Sequence, residues 1–232
     1  MIEVRKVSKH LAGKTVLDEV EFTVPDSGSV AILGRTGAGK SVLLRIMAGL
    51  LMPDSGTVIF DGRLLGYGRL ADNGEALARL GFVFQGGALF DWLSAVENVA
   101  LPLVERGRLS HAKAIEAAQF ALRRVGLVEA AGLRPRELSG GMTKLVAIAR
   151  ALVTNPKYVF YDEPTSGLDP VARERVCDLI RDLQDSESRA SVVVTHDLDT
   201  VQRLGMHVYM LRRGRLCPVG DVRKEDYEPE FA

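Results

Sequence analysis

The sequence predicts an α/β fold with a mainly parallel sheet, an N-terminal antiparallel β subdomain and an inserted helical lobe. Short apolar runs recur along the chain, and several of them end in polar turns. Helical patterns separate these runs, and strands that alternate with helices indicate parallel pairing with right-handed crossovers. From about His111 to Val125 and from Thr143 to Thr154 the pattern is helical and rich in Ala and Leu, which indicates an inserted helical lobe at about 86–154.

Length and composition favour one domain with a substantial buried core, since the chain has 232 residues and 47% of them are hydrophobic. Thirty basic residues balance thirty acidic ones. This balance argues against nucleic acid as the main partner, because a phosphate backbone attracts a basic surface. Cys177 and Cys217 fit no metal-binding or disulfide spacing, so we expect two reduced thiols.

The N-terminal residues show no pattern of a secretory signal. The first residues, MIEVRKVSKH, lack the apolar core of a secretory signal, and no apolar run approaches the roughly 18 residues of a membrane span. If the protein serves a membrane, we expect it to act through a partner. Beyond the turn at Gly220-Asp221 we expect no appended regulatory domain and a loose tail over Asp226–Ala232.

The first sixty residues are predicted to form strands and one helix, joined by turns rich in Gly and Pro. Ala12-Gly13-Lys14 separates the first two strand patterns. Val30–Leu33 is a short apolar run, typical of a strand that is buried on both faces. The predicted elements are strands at Ile2–Val7, Val16–Val24, Val30–Leu33 and Thr57–Phe60, and a helix at Val42–Leu50.

Two helical patterns occupy the middle of the chain, and three strand patterns follow them. Each of these strands is β-branched or aromatic and is followed by a polar turn. Because ligands bind beyond the carboxyl ends of parallel strands, the turns are candidate functional segments. The predicted helices are His111–Val125 and Thr143–Thr154, and the predicted strands are Tyr158–Tyr161, Ser191–Thr195 and Val208–Leu211.

A phosphate-binding loop is predicted at Gly34–Ser41, which fits the pattern G-x-x-x-x-G-K-[ST] in full, after a strand and before a helix. Its glycines let backbone N–H groups approach phosphate oxygens, and the helix adds its positive N-terminal dipole. Lys40 is predicted to reach the β- and γ-phosphates, and the Ser41 hydroxyl to bind Mg²⁺. The fold is therefore predicted to be a P-loop NTPase core, in which nucleotide binds Gly34, Arg35, Thr36, Gly37, Ala38, Gly39, Lys40, Ser41 and Val42.

A pair of acids follows the strand Tyr158–Tyr161. Asp162 is predicted to hold the Mg²⁺ shell, and Glu163 points the other way along the pleat, where it can act on a water as general base. Adjacent carboxylates repel each other, so a nearby cation is expected. A polar turn without a ligand is the alternative, and the phosphate-binding loop upstream argues against it.

Leu138-Ser139-Gly140-Gly141 opens a helical stretch, where Ser139 can serve as the N-cap and the glycines permit close approach of a phosphate. Together with the phosphate-binding loop and the acid pair, this segment resembles the signature motif of the ABC ATPases. Three more motifs of that family stand in its order. They are Gln85 after the strand Phe82-Val83-Phe84, Ser166-Gly167-Leu168-Asp169, and Thr195-His196-Asp197, which resemble the Q-loop, D-loop and H-loop.

The resemblance implies a head-to-tail homodimer in which ATP lies on the phosphate-binding loop of one subunit and under the signature of the other. Ser139, Gly140 and Gly141 would then act in trans, with Asp169 also at the nucleotide. Gln85 would sense Mg²⁺ and the attacking water and link the site to the membrane partner. His196 would hold the γ-phosphate and help to position the water.

The adenine site departs from the family's usual pattern, in which an aromatic residue stacks on the base. The corresponding stretch here is Lys9-His10-Leu11, and Leu11 is the residue we expect against adenine. Without an aromatic ring the preference for ATP over GTP is less well specified by the sequence.

Two further features resemble the ATPases of Mce/Mla-type lipid transporters. The fifth signature residue is Met142, and the segment after Gln85 has a distinctive sequence with departures at Leu145 and Trp92. Ala88–Phe90 and Trp92 are expected to form an apolar groove for a short helix of the permease, and ordinary core of the helical lobe is the alternative. The segment comprises Phe84–Asp91, Val96–Val99 and Leu101–Leu103.

The resemblance therefore implies an ATP-hydrolysing, Mg²⁺-dependent subunit that dimerises on ATP and drives separate transmembrane permease subunits. The expected substrate is phospholipid or another hydrophobic molecule, with a Mce-type lipid-binding protein reached through the complex and no nucleic acid partner. The expected location is the cytoplasmic face of the inner membrane, as a peripheral subunit. The single domain would comprise a nucleotide-binding core at about 1–85 and 155–232 and a helical lobe at about 86–154.

Other functions stay open at this point. A detached ATPase subunit contains few contacts with the transported substrate, so an importer or exporter of another substrate is an alternative. A soluble ABC ATPase that acts on nucleic acid would be expected to carry a long coiled-coil insertion or two cassettes, and neither is present. A small-molecule kinase could use the same phosphate-binding loop, but it would have no use for the signature or for His196.

Overall fold

The computed structural model describes residues 1–67, 73–105, 107, 109–187 and 189–220, and the expected tail over Asp226–Ala232 lies outside them. The chain forms two compact units, one comprising Met1–Leu77 with Ser188–Ala232 and the other Ala78–Glu187. The predicted helical lobe at about 86–154 falls within the second unit, and its boundaries stay a prediction.

The strands are β1 (Ile2–Leu11), β2 (Lys14–Val24), β3 (Ser29–Leu33), β4 (Ser55–Phe60), β5 (Arg63–Leu64), β6 (Leu80–Val83), β7 (Tyr158–Asp162), β8 (Ala190–Thr195), β9 (His207–Arg212) and β10 (Arg215–Val219). The helices are α1 (Lys40–Met47), α2 (Gly74–Ala78), α3 (Ala95–Glu105), α4 (His111–Arg124), α5 (Gly140–Leu152), α6 (Pro170–Glu187) and α7 (Leu198–Leu204).

An antiparallel sheet with the order β2-β1-β4-β5 forms one layer of the first unit. The hairpin between β1 and β2 closes with Leu11 opposite Lys14. Its two central residues both have positive φ, 49° at Ala12 and 76° at Gly13, as a two-residue turn of the type favoured by twisted strands requires. Alternate side chains are buried in the first residues of β1 and from Val20 to Val24 of β2, which gives this part of the sheet one core face, and register shifts interrupt the alternation of β1 after Val4.

The second sheet of this unit places β3 between two parallel neighbours, β8 and β9, with Leu33 opposite Thr195 and Met210. All residues of β8 are buried, and in β3 only Ser29 is partly exposed. Such continuous burial matches the apolar runs of the sequence, which have no polar alternation. The carboxyl ends of β3 and β8 therefore lie side by side at one edge of the sheet.

The second unit contains the parallel pair β6 and β7, in register from Leu80 opposite Tyr158 to Val83 opposite Tyr161. Helices α3, α4, α5 and α6 make up most of the rest. Helix α5 is the most buried of them, since every residue from Lys144 to Ala149 has little or no exposure. In the described part of the chain, no helix is both long and apolar enough to span a membrane.

The predicted α/β class is confirmed, with a mainly parallel sheet and an N-terminal antiparallel one. Sequence reasoning missed several elements, among them the longest helix, α6. Its buried residues, Val176, Ile180 and Leu183, recur at helical spacing among many charges, which is the pattern of a half-buried helix. Helix α5 begins at Gly140, three residues before the predicted start, because Ser139 caps it.

Candidate functional site

The phosphate-binding loop connects the end of β3 to α1. Its lysine, Lys40, is only 5% exposed. The Lys40 ammonium donates to the carbonyl oxygens of Gly34 at 2.8 Å and Arg35 at 3.0 Å. The loop is closed by a bond from the Ala38 amide to the Arg35 carbonyl at 3.1 Å. The lysine charge is thus held inside the turn of the loop, where a phosphate group would meet it.

Two glycines of the loop stand where a side chain cannot fit. A Cβ atom at Gly34 would lie 2.8 Å from the carbonyl oxygen of Leu211 on β9. At Gly39, φ is 102°, and a Cβ would lie 2.7 Å from Val16 Cγ1 and 3.0 Å from the Val16 carbonyl. Gly39 is also the N-cap of α1, so the loop and the helix start are packed directly against β2.

The remaining loop positions differ in exposure. Arg35, Thr36 and Gly37 are exposed, whereas Ala38, Ser41 and Val42 are half-buried. Ser41 and Val42 belong to the first turn of α1, where backbone N–H groups have no partner within the helix. The loop therefore has the geometry of an anion site at a helix N-terminus.

His196 lies at the same sheet edge as this loop. The Gly34 amide donates to the carbonyl of Thr195 at 3.2 Å, so the ends of β3 and β8 are joined directly. The next residue, His196, is exposed, and the one after it, Asp197, is the N-cap of α7. The structure thus brings His196 and the phosphate-binding loop together within the first unit.

Leu11 ends β1 and is 40% exposed, so it offers an apolar surface. The residues before it are fixed by Asp54, whose carboxylate accepts from Lys9 at 2.6 Å and from the His10 amide at 2.6 Å. These hydrogen bonds, above all the one from Lys9, lower the pKa of Asp54 to about 2. The strand end next to Leu11 is therefore anchored to the turn before β4.

The acid pair of the second unit lies at the end of β7 and is nearly inaccessible, with Asp162 at 1% and Glu163 at 6% exposure. The predicted alternation along the pleat does not hold at this point. The strand ends at Asp162, and Glu163 has a φ of 49°, outside the extended region. Such a conformation is costly for a residue with a side chain, and strained backbone of this kind is often found at functional sites.

Lys144 on α5 was not identified from the sequence, yet it joins the predicted catalytic segments of the second unit. Its ammonium donates to the Gln85 carbonyl and, at 3.1 Å, to the Glu163 carbonyl. Burial lowers the pKa of Lys144, and the carboxylates of Asp162 and Glu163 oppose this effect. A lysine flanked by small and apolar residues within one helix was the signal in the sequence.

Arg150 on the same helix holds the segment just beyond Gln85, and it was also missed. Its guanidinium donates to the Gly87 carbonyl at 2.6 Å and the Ala88 carbonyl at 2.7 Å. Ala88 has a φ of 48° and follows the turn that is closed by the bond from the Gly87 amide to the Phe84 carbonyl at 2.8 Å. Gln85 itself is exposed. Because β6 and β7 are parallel and in register, Gln85 follows its strand at the same sheet edge at which Asp162 ends β7.

The signature segment starts α5, with the Ser139 hydroxyl accepting from the Met142 amide at 3.2 Å. Ser139 and Gly140 are exposed, whereas Gly141 is half-buried. A Cβ at Gly141 would lie 3.0 Å from Ala172 Cβ on α6, so only glycine lets the two helix starts meet this closely. Asp169 caps α6 by accepting from the Ala172 amide at 3.0 Å, which places it beside the signature of its own chain.

An exposed aromatic pair stands between Gln85 and α3. The rings of Phe90 and Trp92 are 5.0 Å apart, and Trp92 is 70% exposed. The loop that carries them is held by Asn98, which is fully buried. The Asn98 side chain bonds both the amide and the carbonyl of Phe90 and the carbonyls of Leu93 and Ser94, at 2.8–3.1 Å.

The predicted site residues thus fall into two groups. The first unit carries the phosphate-binding loop, Leu11 and His196, and the second carries Gln85, the signature, the acid pair and Asp169. Among the described residues, no cluster of three or more His, Cys, Asp or Glu could hold a metal by itself. The predicted ligands Ser41, Gln85 and Asp162 are oxygen donors, which suit Mg²⁺ when phosphate oxygens complete its shell.

A glycine-rich loop that wraps a buried lysine between a parallel strand and a helix defines a P-loop nucleotide-binding protein. The ABC transporter family model matches residues 17–166, which include that loop, the signature and the acid pair. The chain therefore belongs to the ABC transporter family, and it is an ATP-binding and ATP-hydrolysing subunit of that family.

Relatives that match nearly the whole chain support its place in this family. Protein TRIGALACTOSYLDIACYLGLYCEROL 3 of Arabidopsis thaliana is 40% identical, covering 93% of this chain and 67% of that protein. The intermembrane phospholipid transport system ATP-binding protein MlaF of Haemophilus influenzae is 34% identical, covering 95% and 83%. A dimeric structure of the ATP-binding cassette MJ0796 bound to ADP and Pi is similar with a TM-score of 0.86 and 31% identity, over 96% and 100%.

Proposed function

We propose that this chain is the ATPase of a transporter that moves phospholipid, or another hydrophobic substrate, across the cell envelope. The observation that carries the proposal is its similarity, over nearly its whole length, to an ATP-binding protein of a phospholipid transport system. The name of the plant relative also refers to a lipid. The sequence of the segment after Gln85 and the signature residue Met142 support the same substrate class.

The phosphate-binding loop would hold the triphosphate. Lys40 would exchange its bonds to loop carbonyls for the β- and γ-phosphate oxygens, and the amides of Gly34–Val42 would surround the chain of phosphates. Leu11 would pack against adenine, since it is exposed at the end of β1. This strand pairs with β2, against which the phosphate-binding loop packs. His196, at the same sheet edge, would contact the γ-phosphate.

The general base for hydrolysis would come from the acid pair of the second unit. Glu163 would accept a proton from the attacking water while the bond between the β- and γ-phosphates breaks to give ADP and phosphate. Ser41, Gln85 and Asp162 would bind Mg²⁺, which when present neutralises charge on the phosphates. Near-complete burial of Asp162 and Glu163 strengthens their electrostatic effect, because little water is available to screen them.

The chain would act as a homodimer. The similar MJ0796 cassette is dimeric in the solved structure with ADP and Pi. In this chain Ser139 and Gly140 are exposed at the start of α5, as residues that meet another subunit's nucleotide must be. The N-terminal dipole of α5 would add to their attraction for phosphate, and Asp169 would lie beside them.

Transmembrane permease subunits would dock at the loop of Phe90 and Trp92. Exposed aromatic side chains mark many interaction sites, and the buried Asn98 keeps this loop in one conformation. The loop follows Gln85 closely in the chain, so docking and hydrolysis would be linked through the segment 85–88. The chain would then be peripheral at the cytoplasmic face of the inner membrane, with a Mce-type lipid-binding protein reached through the permease.

Purification from native membranes tests this function. The complex with the parent chain should contain permease subunits and co-purifying phospholipid, identified by mass spectrometry. Trp92→Ala should lose the permease but retain ATP binding, whereas Phe120→Ala, at another exposed aromatic residue with 60% exposure, should behave like the parent.

Two results would contradict parts of the proposal. A solute-binding protein with a polar ligand in place of lipid would show an ABC importer of another substrate. Salt-sensitive nucleic-acid binding without any membrane partner would show the soluble alternative.

A further inference from the structure

One ammonium group spans the ends of the two parallel strands that carry the catalytic candidates of the second unit. Gln85 follows β6, and Glu163 follows β7 directly. The nitrogen of Lys144 donates to the main-chain carbonyls of both residues. An ammonium has three donors, so a single lysine can bind two carbonyls at once and hold both strand ends to its own helix.

Burying the Lys144 ammonium costs desolvation free energy, so we expect the lysine to have a role besides packing. Its side chain is 6% exposed, and the neighbouring residues of α5 from Leu145 to Ala149 are small or apolar. An apolar residue of similar length would pack there without the penalty of removing a charge from water. The bonds of Lys144 instead act on backbone, and one of them fixes the carbonyl of Glu163, which has the unfavourable φ of 49°.

The position of Lys144 within α5 connects these bonds to the signature. The helix is capped by Ser139, five residues earlier, and is buried from Lys144 to Ala149. One turn and a half of rigid helix therefore separates the exposed signature serine from the ammonium group. Arg150, further along α5, donates to the carbonyls of Gly87 and Ala88, so it secures the segment just after Gln85.

We propose that Lys144 is a positioning residue for hydrolysis, which holds the backbone of Gln85 and Glu163 to the signature helix α5. The inference rests on the proposed function. Because Lys144 bonds the main-chain carbonyls of Gln85 and Glu163, it affects the reaction through the placement of these two residues.

The steady-state kinetics of Lys144→Met test this role, since methionine has a similar length without a charge or a donor. We expect kcat for ATP hydrolysis to fall about 10- to 100-fold, because small misplacement of reacting groups has effects of this size. The KM for ATP should stay within about twofold of the parent, since no phosphate contact is lost. Lys113→Met, at an exposed lysine of α4, is the matched control and should leave kcat unchanged.

Two more measurements separate positioning from general damage. The double variant Lys144→Met with Gln85→Ala should have a kcat only slightly below that of the slower single variant, because both substitutions impair the same positioning of Gln85. If the two substitutions acted independently, their effects on kcat would multiply. Lys144→Gln keeps an N–H donor, so its kcat should lie between those of Lys144→Met and the parent. If Lys144→Met does not fold, the kcat of Lys144→Gln tests the positioning role instead. A folded Lys144 variant with the parent's kcat would overturn the inference. Absent hydrolysis in the parent would instead overturn the proposed function.

Discussion

Lys40 stabilises the phosphate-binding loop and, in the proposed function, also binds the nucleotide. Its ammonium already bonds two carbonyls of the phosphate-binding loop, and its burial keeps the charge close to the loop amides. The proposed function adds the β- and γ-phosphates as partners. The strength of ATP binding should therefore depend on this charge more than on any other residue of the loop.

Replacing Lys40 with alanine should weaken ATP binding about 10- to 100-fold, because hydrogen bonds to charged groups contribute roughly 1.5–3 kcal/mol each. Isothermal titration calorimetry of the nucleotide measures this effect, with Lys113→Ala as the control on an exposed lysine. Unchanged affinity in Lys40→Ala would contradict the assignment of the loop to phosphate.

Residues that act through main-chain atoms are the ones that sequence reasoning misses. Lys40, Asp162, Glu163 and His196 stand in motifs, and the motif predicts the side chain's role. Lys144 and Asn98 bond to backbone carbonyls whose positions only the folded chain determines. A buried polar residue in an apolar helix indicates that a partner exists, but the sequence does not say which segment supplies it.

At the scale of elements, the loop of Phe90 and Trp92 depends on a single side chain of α3. Asn98 satisfies the amide of Phe90 and three carbonyls of the loop, and it is completely buried. Its removal takes this partner from the Phe90 amide and the Leu93 carbonyl, whereas the Phe90 and Ser94 carbonyls still accept from backbone amides. Because Trp92 is the only tryptophan of the chain, its fluorescence reports on this loop alone.

Asn98→Ala should lower the free energy of unfolding by about 1–3 kcal/mol, the cost of leaving buried hydrogen-bonding groups unsatisfied. It should also lower the fluorescence anisotropy of Trp92, since the loop is less constrained. Denaturant unfolding and anisotropy measure the two effects, with Gln119→Ala on the exposed side of α4 as the control. A variant as stable as the parent with unchanged anisotropy would show that Asn98 does not hold the loop.

Elements with uniform burial were predicted well, and those with mixed surroundings were not. The apolar runs in β3, β7 and β8 are buried on both faces and could be recognised from the sequence. Helix α6 was missed because its charged residues outnumber the apolar residues of its buried face. The end of β7 was misjudged at Glu163, where the strand stops and the backbone takes a positive φ that no pattern in the sequence indicates.

At the scale of the whole molecule, the proposed dimer divides each catalytic site between two subunits. The exposed Ser139 at the start of α5 would complete the site of the partner, while Lys40 binds the nucleotide of its own subunit. This arrangement makes a prediction for mixed dimers that a site within one chain cannot reproduce.

Ser139→Arg and Lys40→Ala subunits should each be inactive alone, and their equal mixture should recover hydrolysis. In a mixed dimer, one site combines an intact Lys40 with an intact Ser139 and the other site has neither. We expect about a quarter of the parent's rate, since half of the randomly formed dimers are mixed and each has one intact site. A mixture as inactive as its components would show that Ser139 serves its own subunit.

ATP hydrolysis by Glu163→Gln is the most direct measure of the central claim, that this chain is an ATPase whose base is Glu163. The substitution preserves size and hydrogen bonding and removes the charge, so the rate should fall about 10²–10⁴-fold. ATP affinity should survive, and Mg²⁺-ATP should shift the variant to a stable dimer in size-exclusion chromatography. Glu116→Gln, on the exposed face of α4, should hydrolyse ATP like the parent. Hydrolysis by Glu163→Gln at close to the parent's rate would contradict the account.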